Sequence, residues 1–131
     1  MELGLVIIAV DELAPAVLFW RAFTRWVVTE DVPGVYTELR TPRGLRYGLY
    51  AEQHYLANLG SAVPELAAAG LQRTEIYVTV GDARGSVSRA TALGASLLAD
   101  VSAKPWGDDV GYLRAPGGIV LAVAQPSTAE P

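Results

Sequence analysis

Cysteine is absent from this chain, and histidine and methionine occur once each. Disulfides, thiolate catalysis and sulfur-ligated zinc are therefore excluded. Positive charge is sparse: ten Lys and Arg stand against fourteen Asp and Glu, a formal net charge of −4, and no basic run interleaves with aromatics. A phosphate backbone would find little to hold, so no nucleic-acid partner is expected. Long apolar runs are also missing. The stretch Leu3 to Val10 is too short to span a bilayer, has no basic flank before it and no small-residue cleavage site after it. The expectation is a cytoplasmic protein with no membrane partner.

What is present is ordinary globular composition, 51% hydrophobic and 18% charged, over 131 residues. That length allows one domain or two half-size units. Leu3 to Val10 reads as a buried strand running into Asp11 as a helix cap. Leu13, Ala16, Val17, Trp20 and Phe23 then mark one apolar stripe, with Trp20 in the core and Pro15 in the first turn. Glu30 to Gly34 reads as a turn-rich break. Val35 to Arg40 and Leu45 to Ala51 alternate around "TPRG" as a hairpin. Glu52 to Arg73 is helical or irregular, with "PELAAAG" as a short helix closed by glycine.

The pattern then recurs. Thr74 to Val80 is a strand, Asp82 a cap, Val87, Ala90 and Leu93 a helical stripe, and Ser96 to Leu98 a short strand. "AKPWGDD" is a loop, and Val110 to Ala115 pairs with Ile119 to Gln125 around "PGG". Arg40, Pro42 and Gly44 reappear 74 residues later as Arg114, Pro116 and Gly118, and Asp11 reappears 71 residues later as Asp82. The chain is thus expected to be a single domain over 1–131, built of a βαβββ module over 3–58, a connector over 59–73, a second βαβββ module over 74–126 and a flexible tail over 127–131.

Four segments, "VIIAVDELAPAVLFW", "EIYVTVGDARGSVSRATALGA", "PWG" and "YLRAPGGIVLAV", together resemble the vicinal oxygen chelate superfamily of glyoxalases, dioxygenases and bleomycin-resistance proteins. The resemblance implies an α+β fold in which the two modules curl into an eight-stranded cup with helices outside, paired in a homodimer. It also places four metal-ligand positions, on Gly4, Gly48, Glu75 and Ala122. Only Glu75 among these could bind a metal, and a divalent ion needs about three protein ligands. The family's metal site is therefore expected to be absent, which points to the metal-free, bleomycin-resistance-like branch, without a cofactor. The single histidine, His54, could with Glu52 join Glu75 to improvise a site.

Side chains alternate along a strand, so these positions also imply an inner wall. Counting by twos gives Val6, Ile8, Arg46, Tyr50, Tyr77, Thr79, Val120 and Ala124, with Tyr36, Glu38, Arg40, Tyr112 and Arg114 joining if the strands pair in the simplest register. The opposite parity, with Leu49, Ile76, Val78, Leu121 and Val123, is aliphatic and should lie under the helices. Small residues at the former ligand positions leave room, and Trp106 stands on a loop by the mouth. The expected ligand contacts are Arg46, Tyr50, Glu75, Tyr77, Trp106 and Tyr112, around a small, flat or aromatic organic compound held by sequestration. Other readings stand beside it, among them a structural or regulatory module whose cup is filled by its own side chains. A buried Glu75 could act as a general base beside Arg46 in a metal-independent isomerase or cyclase, or pair with Arg46 as an inert ion pair. A metal-dependent lyase or dioxygenase would need a non-standard ligand set.

Overall fold

A computed structural model describes residues 5–59 and 74–127. Gly4 and the expected "PELAAAG" helix lie outside the described residues. The chain divides into two compact units, Met1–Gly70 and Leu71–Pro131. Each is one copy of the repeat, with a four-stranded sheet carrying its helix on one face, so the α+β reading with two βαβββ modules holds.

In the first unit β1 (Val6–Val10) leads into α1 (Leu13–Thr24). Then come β2 (Val27–Val32), β3 (Tyr36–Arg40), β4 (Arg46–Ala51) and α2 (Glu52–Leu59). The sheet order is β1-β4-β3-β2, with β1 parallel to β4 and the other pairs antiparallel. Helix α1 forms because its three-and-four spacing buries Ala16, Phe19, Trp20 and Phe23 together. Pro15 is third in the helix, where its missing N–H had no intrahelical acceptor to lose. The helix ends at Arg25, left-handed at φ 61°, whose N–H bonds Arg21 O at 3.0 Å. Trp20 meets Tyr47 of β4 edge to face at 5.3 Å, and Trp26 meets the same ring at 5.7 Å. The buried rings of Trp20 and Tyr47 each contribute roughly 1.5–3 kcal/mol of transfer free energy.

The second unit runs β5 (Glu75–Thr79), α3 (Ala83–Ala92), β6 (Ser96–Ala103), β7 (Asp108–Arg114) and β8 (Val120–Pro126), in sheet order β5-β8-β7-β6. Asp82 caps α3 as expected, its Oδ1 accepting from the Gly85 N–H at 3.0 Å. The two hairpin turns repeat bond for bond. Gly44 N–H bonds Thr41 O at 2.9 Å and Gly118 N–H bonds Ala115 O at 3.0 Å. Thr41 and Ala115 each close their turn at 2.9 and 2.8 Å. Gly44 sits at φ 91° and Gly118 at φ 84°, a region that side chains with a Cβ avoid. β8 carries no charge because it is central and buried on both faces: Leu121, Ala122, Val123 and Ala124 all have 0% exposure.

Several expectations are corrected. The cap of α1 is Glu12, not Asp11. Consequently β1 faces the other way: Val6, Ile8 and Val10 align with Tyr47, Leu49 and Ala51 on the helix side. Leu5, Ile7 and Ala9 therefore take the opposite parity, with Ile7 beside Gly48 and Ala9 beside Tyr50. The segment read as a break at Glu30 to Gly34 is largely strand β2. The short strand at Ser96 extends to Ala103, and Asp108 and Asp109 of the expected loop open β7. Ser127 donates its N–H to Gly107 O at 2.8 Å, and the rest of the expected tail lies outside the described residues.

Candidate functional site

On the first unit the face away from α1 carries Tyr36, Glu38 and Arg40 of β3, directly opposite Tyr50, Gly48 and Arg46 of β4. Glu38 is 3% exposed, and its carboxylate accepts four hydrogen bonds. Arg46 Nε reaches Oε2 at 2.9 Å and Nη2 reaches Oε1 at 3.0 Å. The Tyr36 hydroxyl donates to Oε1 at 2.7 Å and Thr29 Oγ1 to Oε2 at 3.1 Å. The Arg46 bonds lower the Glu38 pKa to about 2, overcoming burial, with Tyr36 and Thr29 adding to the same effect. Burial first, and the bond to Glu38 second, hold the Tyr36 phenol protonated far above its ordinary range.

Arg46 is thus joined to Glu38 rather than to Glu75. Nor is Gly48 an opening. A Cβ there would stand 2.6 Å from Tyr36 Cε1 and 2.8 Å from Cζ, so the tyrosine ring fills the space that glycine leaves. Tyr50 packs tilted against Tyr36 at 5.1 Å, and Tyr55 of α2 meets Tyr50 at 5.8 Å. His54, also on α2, is exposed, with Gln53 Nε2 3.4 Å from its Nε2.

On the second unit Glu75, Tyr77 and Thr79 of β5 align with Val120, Ala122 and Ala124 of β8, and Tyr112 of β7 lies opposite Ala122. Ala122 is sealed in a cluster with Val110 and Ala124, against which Tyr112 packs. Tyr77 reaches past β8 to β7, where its hydroxyl donates to Asp108 Oδ2. Trp106, in the β6–β7 turn, donates its Nε1–H to the same hydroxyl at 3.0 Å. Both rings remain open to solvent, Tyr77 at 41% and Trp106 at 57%. Lys104 Nζ stands 5.4 Å from the centre of the Tyr112 ring. Burial, then the neighbouring Glu75 carboxylate, raise the Tyr112 pKa.

The structure therefore collects Glu75, Tyr77, Trp106 and Tyr112 in the second unit and places Arg46 and Tyr50 in the first. Glu75 is exposed, so the burial on which a general-base role depended is missing. The sequence reading had not assigned Asp108, Lys104 or Thr29 to either face. Glu38, expected on the inner wall in the simplest strand register, does lie on that face, and it is paired with Arg46.

The residues do not fit a metal centre of the family's kind. Gly48 and Ala122 offer no donor atom and their space is filled. The corrected β1 register moves the position equivalent to Glu75 from Gly4 to Leu5, which offers no donor either: Ile7 and Tyr77, seventy residues apart, hold matching places beside Gly48 and Ala122. Among the described residues no three His, Asp or Glu side chains form a group able to hold a metal. Among the described residues, too, no helix is long and apolar enough to cross a membrane.

These paired βαβββ units, each with a helix on one sheet face, define a protein of the glyoxalase/bleomycin-resistance/dioxygenase fold. The glyoxalase-like domain model matches residues 5–124, and the chain belongs to that family. Its fold is similar to a glyoxalase-related enzyme from Fulvimarina pelagi at a TM-score of 0.81 and 18% identity, covering 95% of this chain and 88% of that one. A glyoxalase/bleomycin resistance protein/dioxygenase from Nocardioides aligns at 0.74 and 18% identity, covering 99% and 86%. A lactoylglutathione lyase from Agrobacterium tumefaciens aligns at 0.70 and 19% identity, covering 95% and 92%. Among curated proteins none matches the sequence significantly.

Proposed function

We propose that this glyoxalase-like protein binds a flat or aromatic organic molecule without a metal ion and sequesters it rather than transforming it. The observation that carries the reading is the solvent-open pair of rings, Tyr77 and Trp106, fixed to each other and to Asp108 on the second unit. Aromatic faces held in place offer stacking area with little ordering left to do on binding. Beside them Tyr112 and Glu75 supply a further ring and a carboxylate on the same sheet face. Filled space at Gly48 and Ala122 supports the metal-free part of the proposal. Names within the family cover lyases, dioxygenases and resistance proteins, so the fold alone does not select among them. We place the protein in the cytoplasm as a homodimer.

The test is native mass spectrometry with metal analysis on the purified protein, followed by titration with the neutral bicyclic ring 2-naphthol under tryptophan fluorescence. A metal-free dimer whose fluorescence saturates, and a Trp106→Leu variant that loses the response, are expected. A stoichiometric divalent ion, a monomer, or an unchanged titration in the variant would overturn the corresponding part.

A further inference from the structure

Arg40 and Arg46 stand directly opposite each other across β3 and β4, on the face away from α1. Opposed side chains on neighbouring strands have Cβ atoms about 5 Å apart, and like charges so placed repel. Arg46 is fixed by its two bonds to Glu38, while its side chain stays 43% exposed. Its remaining N–H groups are therefore oriented before anything binds. Arg40 is exposed and enters no ion pair among the described residues.

Glu38 cannot turn to relieve Arg40, because Tyr36 and Thr29 hold the same carboxylate oxygens that Arg46 uses. Glu30, opposite Glu38 on β2, adds only a coulombic attraction at Arg46 behind the dominant bond to Glu38. On the other side of Arg40, Val27 is 66% exposed and leaves approach open. We propose that Arg40 and Arg46 form an anion site on the first unit, which takes a carboxylate or phosphate group of a small-molecule ligand. Planar guanidinium groups match such oxygens in paired hydrogen bonds, one arginine anchored and the other free to close.

The site stands apart from the aromatic reading, since it uses different residues in the other unit. It is tested on the full chain by following the arginine Nε–Hε signals in 1H–15N spectra during titration with sodium acetate and, separately, inorganic phosphate, at ionic strength held constant with chloride. Saturable shifts of both the Arg40 and Arg46 signals, with affinity on the order of millimolar, are expected for at least one anion. Saturation by acetate alone assigns a carboxylate ligand, and by phosphate alone a phosphorylated one. Arg40→Gln should weaken binding about tenfold, while Arg43→Gln, in the turn, should not change it. Backbone amide signals in the same spectra report that each variant is folded. Absence of saturation with both anions, or equal weakening by both variants, would overturn the proposal, the latter because diffuse local charge would then explain the binding.

Discussion

The ring of Tyr36 lies where the side chain of residue 48 would be, and glycine at that position is what lets the tyrosine hydroxyl reach Glu38. A methyl group on Gly48 would have to displace the ring, because even Cζ would lie 2.8 Å away. Gly48→Ala should therefore break the Tyr36–Glu38 bond and cost about 1–3 kcal/mol in denaturant unfolding. In the double variant with Tyr36→Phe, part of that cost is already spent, so the two losses should be less than additive.

Glu38 makes acid stability predictable in sign. Its carboxyl titrates near 2 in the folded protein against 4.5 for an ordinary glutamate, chiefly because Arg46 donates two bonds to it. A lowered folded pKa means that the stabilisation is complete above about pH 4.5 and is lost as pH falls towards about 2. With Arg46 partly in water, the contribution is discounted to about 2 kcal/mol. Unfolding measured from pH 6 to about pH 2 should show this slope in the natural protein, and Glu38→Gln should flatten it while lowering stability at neutral pH.

Most of the architecture was legible because duplication writes each hairpin twice, and the repeated arginine, proline and glycine fixed the pairing of β3 with β4 and of β7 with β8. The one-residue error in β1 came from "VDEL", where Asp11 and Glu12 are both acidic and adjacent. Parity along a strand depends on which of them ends it, and only the alignment of Ile7 with Gly48 decides. β2 escaped because it is an edge strand whose residues are nearly all exposed, so it shows no hydrophobic alternation. Of the site, the faces of Arg46, Tyr50, Tyr77 and Tyr112 followed from alternation. The partners did not: Glu38 for Arg46, Tyr36 over Gly48 and Asp108 for Tyr77 are side-chain contacts between strands, which spacing along one strand cannot specify.

Tyr47 gives a prediction of opposite sign. Its ring packs edge-on against both Trp20 and Trp26, yet its hydroxyl is buried without a hydrogen-bond partner, and burial alone pushes its pKa far upward. A buried donor left unmade costs free energy that a phenyl ring would not incur. Tyr47→Phe should thus leave stability unchanged or raise it by about 1 kcal/mol, as read from the urea midpoint at constant slope. A loss above about 1 kcal/mol would mean that the hydroxyl is bonded, for instance to an ordered water.

Tyr77 fixes Trp106 from the opposite edge of the sheet, so its hydroxyl controls how well the exposed indole is ordered. Tyr77→Phe removes both the acceptor for Trp106 Nε1 and the donor to Asp108 while keeping a ring of the same size. Because both bonds lie at the solvent-exposed surface, stability should fall by less than about 1 kcal/mol. Acrylamide should quench Trp106 fluorescence more readily in the variant, since the β6–β7 turn is no longer tied to β5. Resolving this needs Trp20→Phe and Trp26→Phe backgrounds, which leave Trp106 as the sole indole. The ordering that the bonds had supplied must then be met on binding, at about 0.5–1.5 kcal/mol for a freed side chain, so 2-naphthol affinity should drop about fivefold. Unchanged quenching with reduced affinity would instead assign the hydroxyl a direct contact with the ligand.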